Sequence, residues 1–202
     1  MLKNYFNMEN YWILWTKIND ELNEVMASIS NESISNVVDC IIEANSKGGK
    51  ILGYAAGRMG LALKAFVMRL NHLGFKAYWF GETYVPPMNE NDVFICCSNS
   101  GTTKSVANIL DIFRNKANGK VIAVVGNELS YMANNADIVV KFKTCNGGLN
   151  SADDPTKINS IQPMTTLTEQ AMLLLFDIIA LMTINKLGID IKETKQFHSN
   201  IE

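Results

Sequence analysis

Ser98-Asn99-Ser100-Gly101-Thr102-Thr103 crowds hydroxyls and one glycine between an apolar run, Asp92 to Cys97, and the helical spacing of Val106, Ile109, Leu110 and Phe113. A helix start offers unpaired N–H donors and a favourable dipole for an anion. Gly101 lets the backbone approach such a ligand and take dihedrals closed to bulkier residues. Two readings fit these six residues: a phosphate cradle, and a helix cap made by Ser100 or Thr102 with the other hydroxyls exposed. No Gly-Lys-Ser or Gly-Lys-Thr is present, which argues against nucleotide hydrolysis.

A second turn of interest is Gly53-Tyr54-Ala55-Ala56-Gly57-Arg58-Met59-Gly60. It resembles a relaxed dinucleotide loop, but Ala55 stands where a glycine belongs and no acid follows at Trp79-Phe80, so NAD is not expected. Arg58 sits at a helix start, where the dipole disfavours a cation. Either a bound phosphate or carboxylate or a surface ion pair compensates it. Thr166-Leu167-Thr168-Glu169 fits a capping box with Thr166 as the cap, and Glu169 is equally placed to be a general base beside a polar pocket. Asp177, set among Leu173, Leu174, Leu175, Phe176, Ile178 and Ile179, needs a donor, a cation, solvent or a subunit contact. His72 and His198 are the two histidines; each is either a proton donor or an ordinary surface or contact residue.

These residues require a scaffold, and the pattern supplies one. Amphipathic helices are predicted over 9–28 and 32–44, then β-prone runs over 50–54, 76–80, 92–97, 120–125 and 137–142. Helical segments over 59–73 and 103–117 lie between some of these runs, with a short one within 127–136. This rhythm predicts an α/β fold around a parallel sheet. Val121-Ile122-Ala123-Val124-Val125 is continuously apolar, as a strand covered on both faces must be. Residues 143–163 read as a long polar connection, either a site rim or a mobile loop; 166–187 as a strongly apolar helix ended by Gly188; and 190–197 as a short tail helix.

The chain has 202 residues, 48% apolar and 19% charged, with a formal net charge of -2, which gives no electrostatic reason to expect a nucleic-acid partner. Cys40, Cys96, Cys97 and Cys145 do not have zinc-site spacing, so no metal is expected and Cys96 and Cys97 are read as buried thiols. The first residues, 1–6, lack a secretory pattern, and the longest apolar run, 171–184, is broken by Asp177 and shorter than the roughly 20 residues a bilayer requires. A cytoplasmic protein without a membrane partner is the expectation.

Taken together, Gly57-Arg58-Met59-Gly60, Lys64 through Phe75, Gly81-Glu82-Thr83, Ser98 through Val106, Ile161-Gln162-Pro163-Met164, Thr166 through Gln170 and the ending His198-Ser199-Asn200-Ile201-Glu202 resemble the sugar isomerase (SIS) domain family, and within it the 6-phospho-3-hexuloisomerases. The resemblance implies a three-layer, doubly wound, flavodoxin-like sandwich with about five parallel strands. Residues 1–33 would form a helical extension, and 34–202 the family domain with its closing helix and tail. It further implies interconversion of 3-hexulose 6-phosphate and fructose 6-phosphate through an enediol or enediolate, without a cofactor, in a homotetramer or homodimer. Under it, Ser98, Asn99, Ser100, Gly101, Thr102, Thr103 and Arg58 bind the phosphorylated hexulose. Glu169 moves the carbon-bound proton, and His72 and His198 handle hydroxyl protons or ring opening. The chain departs from the family pattern at Ala55, Met59, Asn99 and Thr102, where glycine, serine, glycine and glutamate are favoured.

Overall fold

The computed structural model describes residues 10–147, 156–198 and 200–201. Helices α1 (Tyr11–Ala27) and α2 (Asn31–Ser46) come first, and Asn10 and Ser30 cap them through side-chain oxygens that accept backbone N–H bonds. Alternation then begins with β1 (Ile51–Ala55), α3 (Gly57–His72), β2 (Ala77–Trp79), β3 (Val93–Ser98), α4 (Lys104–Lys116), β4 (Lys120–Val125), α5 (Tyr131–Asn134) and β5 (Ile138–Lys141).

The five strands are parallel and ordered β2-β1-β3-β4-β5. Successive side chains point to opposite faces, so each strand feeds two cores. Ile51, Val93, Ile95, Cys97, Ile122 and Val124 join the core beneath α1, α2, α3 and α6 (Thr166–Leu187). Leu52, Phe94, Cys96, Val121, Ala123 and Val125 join the one beneath α4 and α5. This is the three-layer sandwich that the unbroken apolar strands predict.

The polar connection differs from expectation. It contains two short strands, β6 (Cys145–Gly147) and β7 (Ile158–Ser160), paired in parallel as a separate ribbon; residues 148–155 of that connection lie outside the described residues. Sequence alone misses them because three-residue strands are too short to show a period. The tail helix is a 3-10 segment, Glu193–Phe197. The residues predicted to lack a secretory signal, and the tail positions 199 and 202, also lie outside the described residues.

Helix α6 is long and apolar enough by composition to cross a bilayer, and the run of residues 171–184 understates it because the helix extends beyond that run at both ends. Half of its most apolar window is buried inside the chain, against α1, α2 and α3. Its buried set, Leu167, Ala171, Met172, Leu175, Phe176, Ile179 and Ala180, follows helical spacing, and the Phe176 ring stacks on Phe66 of α3 at 4.9 Å. Asp177 does not lie in this core. It sits on the exposed side with Leu173, Leu174, Ile178 and Leu181.

Candidate active site

The strand order decides where ligands can collect. In an open parallel sheet the crevice forms beyond the strands' carboxyl ends, where successive connections leave in opposite directions. Here that point lies between β1 and β3, which are hydrogen-bonded neighbours with Ala55 opposite Cys97. Neighbouring strands are about 4.8 Å apart, so the Gly57-Arg58 turn and the Ser98 loop start side by side. Both turns singled out by residue type therefore flank one crevice.

The loop is built from its own hydroxyls. Ser98 Oγ accepts the Gly101 N–H at 3.0 Å and lies 2.8 Å from Thr103 Oγ1. Ser100 Oγ accepts both the Thr102 N–H and the Thr102 hydroxyl, at 3.2 and 3.1 Å. Thr103 is the residue preceding α4, yet makes no side-chain cap bond, and neither Ser100 nor Thr102 caps the helix. The simple capping reading therefore fails, and the first N–H groups of α4 receive no side-chain cap.

Gly101 has φ +68, and a Cβ there would come within 2.0 Å of Ser130 Oγ. Its carbonyl accepts the Met132 N–H at 3.0 Å. The start of α5 thus buttresses the loop from behind. Gly126, at the end of β4, bonds Asn99 O through its N–H at 3.2 Å. Ser130 and Gly126 are contributors that residue chemistry does not single out; their only signal is position, just beyond the next parallel strand.

Asn99, Ser100 and Thr102 border a cleft of about 860 Å³ with Asn127, Lys141, Lys143, Thr144 and Lys157. Lys141 is ion-paired with Glu128 and Lys143 with Glu24, at 2.5 and 2.6 Å. Asn99 Oδ1 is buried without a partner, the only such side-chain atom among the described residues. Arg58 and Glu169 do not line this cleft.

Those two residues meet each other. Arg58 Nε donates to Glu169 Oε2 at 2.5 Å, with the arginine side chain 62% exposed and the carboxylate 13%. Glu169 Oε1 accepts the Thr165 hydroxyl at 2.8 Å. The predicted capping box needs correction: the residue before α6 is Thr165, not Thr166, and it makes no side-chain cap bond. With the helix starting one residue earlier, Glu169 is four residues past that position rather than three, and its carboxylate bridges the Thr165 hydroxyl and the Arg58 guanidinium in a charge-assisted contact across α3 and α6. The surface ion pair proposed as the alternative for Arg58 is present, and its partner is the candidate base itself.

The histidines lie elsewhere. His72 ends α3, fourteen positions after Arg58, and a helical rise puts about 21 Å between them. His198 joins His72, with ring centroids 5.1 Å apart. Arg69, His72 and Asp177 line a groove of about 360 Å³ there. One chain thus assembles the loop, Arg58 and Glu169 at one end of α3, and both histidines at the other.

Cys96 and Cys97 are buried within β3. Burial pushes the Cys97 thiol well above its ordinary value and raises Cys96 as well, so both remain thiols rather than nucleophilic thiolates. Among the described residues no group of three His, Cys, Asp or Glu is placed to hold a metal ion.

Comparison with known proteins agrees with this architecture. The chain is 34% identical over 186 residues to the 3-hexulose-6-phosphate isomerase of Bacillus subtilis, covering 92% of this chain and 96% of the relative. It is 30% identical to the enzyme of that name from Methanocaldococcus jannaschii, over 85% and 88% of the two chains. A crystal structure of a Methanococcus jannaschii protein, from which a 3-hexulose-6-phosphate isomerase function was inferred, superposes with TM-score 0.75 at 26% identity, covering 93% of this chain and 98% of that one. The SIS domain model matches residues 44–174, a span that opens at the end of α2, takes in the whole parallel sheet and closes after Glu169. The chain therefore belongs to the SIS domain family.

Proposed function

We propose that this chain interconverts 3-hexulose 6-phosphate and fructose 6-phosphate. The observation that carries the reading is the Arg58–Glu169 pair, set beside a hydroxyl-rich anion loop at the sheet's switch point, in a chain alike over nearly its whole length to isomerases of that name. The phosphate binds at Ser98, Ser100, Thr103 and the free N–H groups of the α4 start, with Asn99, Gly101 and Thr102 shaping the turn. Remote phosphate contacts then hold the reacting carbons in place.

Glu169, as a carboxylate, takes the proton from C2 of the 3-hexulose. The released electron pair forms the C2–C3 double bond, and the C3 carbonyl electrons pass to O3. Arg58, already against the carboxylate, faces the negative oxygen that develops. Glu169 returns the proton to C3, the O2 proton is lost as C2 becomes the carbonyl, and O3 is protonated.

His72 is about 21 Å along α3 from Arg58 and His198 lies beside it, so within a single copy they do not meet this substrate. They serve the site of a neighbouring copy in a homotetramer or homodimer. Helix α6 supports that assembly: its outer side is largely apolar, and Leu173, Leu174, Ile178 and Leu181 stay at least 41% exposed in the single chain around Asp177.

The test is turnover of 3-hexulose 6-phosphate in deuterated water. Conversion to fructose 6-phosphate with deuterium at the reacting carbon is expected, and Glu169→Gln lowers kcat by about 10²–10⁴ while the phosphosugar still binds. Phosphosugar binding without conversion at any enzyme concentration refutes the reading.

A further inference from the structure

Glu21 is 7% exposed and lies on the inner face of α1, where its neighbours are apolar: Val25 is fully buried and Leu22 and Met26 pack against the core. A buried carboxylate requires donors. It receives them from far along the chain: the Ser160 hydroxyl at 2.6 Å and the Ile161 N–H at 3.0 Å. Ser160 Oγ in turn accepts the Gln162 N–H at 3.0 Å, and Gln162 Nε2 donates to Gln170 Oε1 at 3.0 Å. Gln170 is the neighbour of Glu169 in the first turn of α6.

The chain between these contacts is strained. Met164 has φ +54, a left-handed conformation that costs a non-glycine residue about 1 kcal/mol and persists where its surroundings fix it. Met164 is 80% exposed, so its side chain anchors nothing. The Pro163 carbonyl accepts the Thr166 N–H and hydroxyl, and the Met164 carbonyl accepts the Cys145 thiol, which closes the turn on itself; the Glu21 cluster before it and Thr165 after it tie the turn to α1 and to Glu169. Thr165 is also the residue whose hydroxyl bonds Glu169.

We infer that Glu21 is a positioning residue for the isomerisation: through Ser160, Ile161 and Gln162 it fixes the turn that aims Glu169 at the carbon-bound hydrogen. The inference rests on the reading of Glu169 as the base. It gives the helical segment preceding the family domain a part in the reaction that no contact with substrate would reveal.

The test is steady-state kinetics of the full chain on 3-hexulose 6-phosphate. Glu21→Ala is expected to lower kcat by roughly ten- to a hundredfold, as a misplaced base does, and to leave KM within about twofold. Glu21→Gln keeps an acceptor for the Ile161 N–H and is expected to regain most of the loss. Should Glu21→Ala fail to fold, Ser160→Ala removes the hydroxyl that joins Glu21 to the Gln162 N–H, leaves the Ile161 N–H bond to Glu21, and is expected to lower kcat in the same sense. An unchanged kcat, or a loss expressed in KM alone, overturns the positioning role. An unaltered protein that does not turn over substrate overturns the isomerase reading instead, so the two failures are separable.

Discussion

Replacing Gly101 by alanine separates two costs that the loop after β3 imposes. The first is conformational: φ +68 costs a residue with a Cβ about 1 kcal/mol. The second is steric, because the new Cβ would lie 2.0 Å from Ser130 Oγ and 2.4 Å from Ser130 Cβ, and Ser130 is 3% exposed with no room to retreat. Overpacking of that kind adds roughly 1–3 kcal/mol. Gly57→Ala is the internal reference, since Gly57 has φ +61 and nothing within 4 Å of its Cβ position. Denaturant unfolding should therefore show Gly101→Ala less stable by roughly 2–4 kcal/mol and Gly57→Ala by only about 1 kcal/mol. For a chain of this size the Gly101→Ala loss is a melting temperature lower by roughly 5–15 °C. Moving the loop off Ser130 also disturbs the Ser98 Oγ bond to the residue-101 N–H, so KM for the phosphosugar should rise at least about tenfold, the worth of one or two hydrogen bonds. Equal destabilisation by the two substitutions, or an unchanged KM, would refute the view that Ser130 holds the phosphate loop in shape.

Two further outcomes concern the scaffold. Asp92 is fully buried and accepts the Lys50 and Asn89 N–H groups, both at 2.7 Å, with Lys50 Nζ at 3.0 Å. Asp92→Asn sets an amide against these donors and should cost about 3–5 kcal/mol in denaturant unfolding. Burial raises the Asp137 pKa, but the Val121 N–H, Arg114 and Lys120 outweigh it and hold the group below its ordinary 3.8. A depressed folded pKa gives stability present above the ordinary value and lost as pH falls through the lower one. The stability gap between the natural chain and Asp137→Asn should thus be open at neutral pH and close in acid, as read by unfolding midpoints.

Much of the fold was legible in residue order because its signals are local. The unbroken apolarity of Val121 to Val125 marks a strand covered on both faces, and that strand contributes to two separate cores. The six residues from Ser98 to Thr103 announce a hydroxyl-rich turn by composition, and Gly101 takes the positive φ that such a turn favours. Gly188 ends α6 in the left-handed conformation expected of it. What residue order left undecided were features that depend on contacts far along the chain. The residue that precedes α6 is Thr165 rather than Thr166, and Glu169 bridges Thr165 to Arg58, 111 residues earlier, a partner that no local pattern announces. Asp177, read among apolar neighbours, is exposed, since helical spacing turns its side of α6 away from the core.

By itself, then, the sequence determined which segments become strands and helices and which turn carries the hydroxyls, since periodicity and turn chemistry act over a few residues. Only the tertiary structure decided that β1 lies beside β3, which starts the Arg58 turn next to the Ser98 loop, that Arg58 meets Glu169, and that α3 carries His72 to the opposite end. Strand order and helix direction are set by long-range packing between faces, and many orders satisfy the same local pattern until the two cores close.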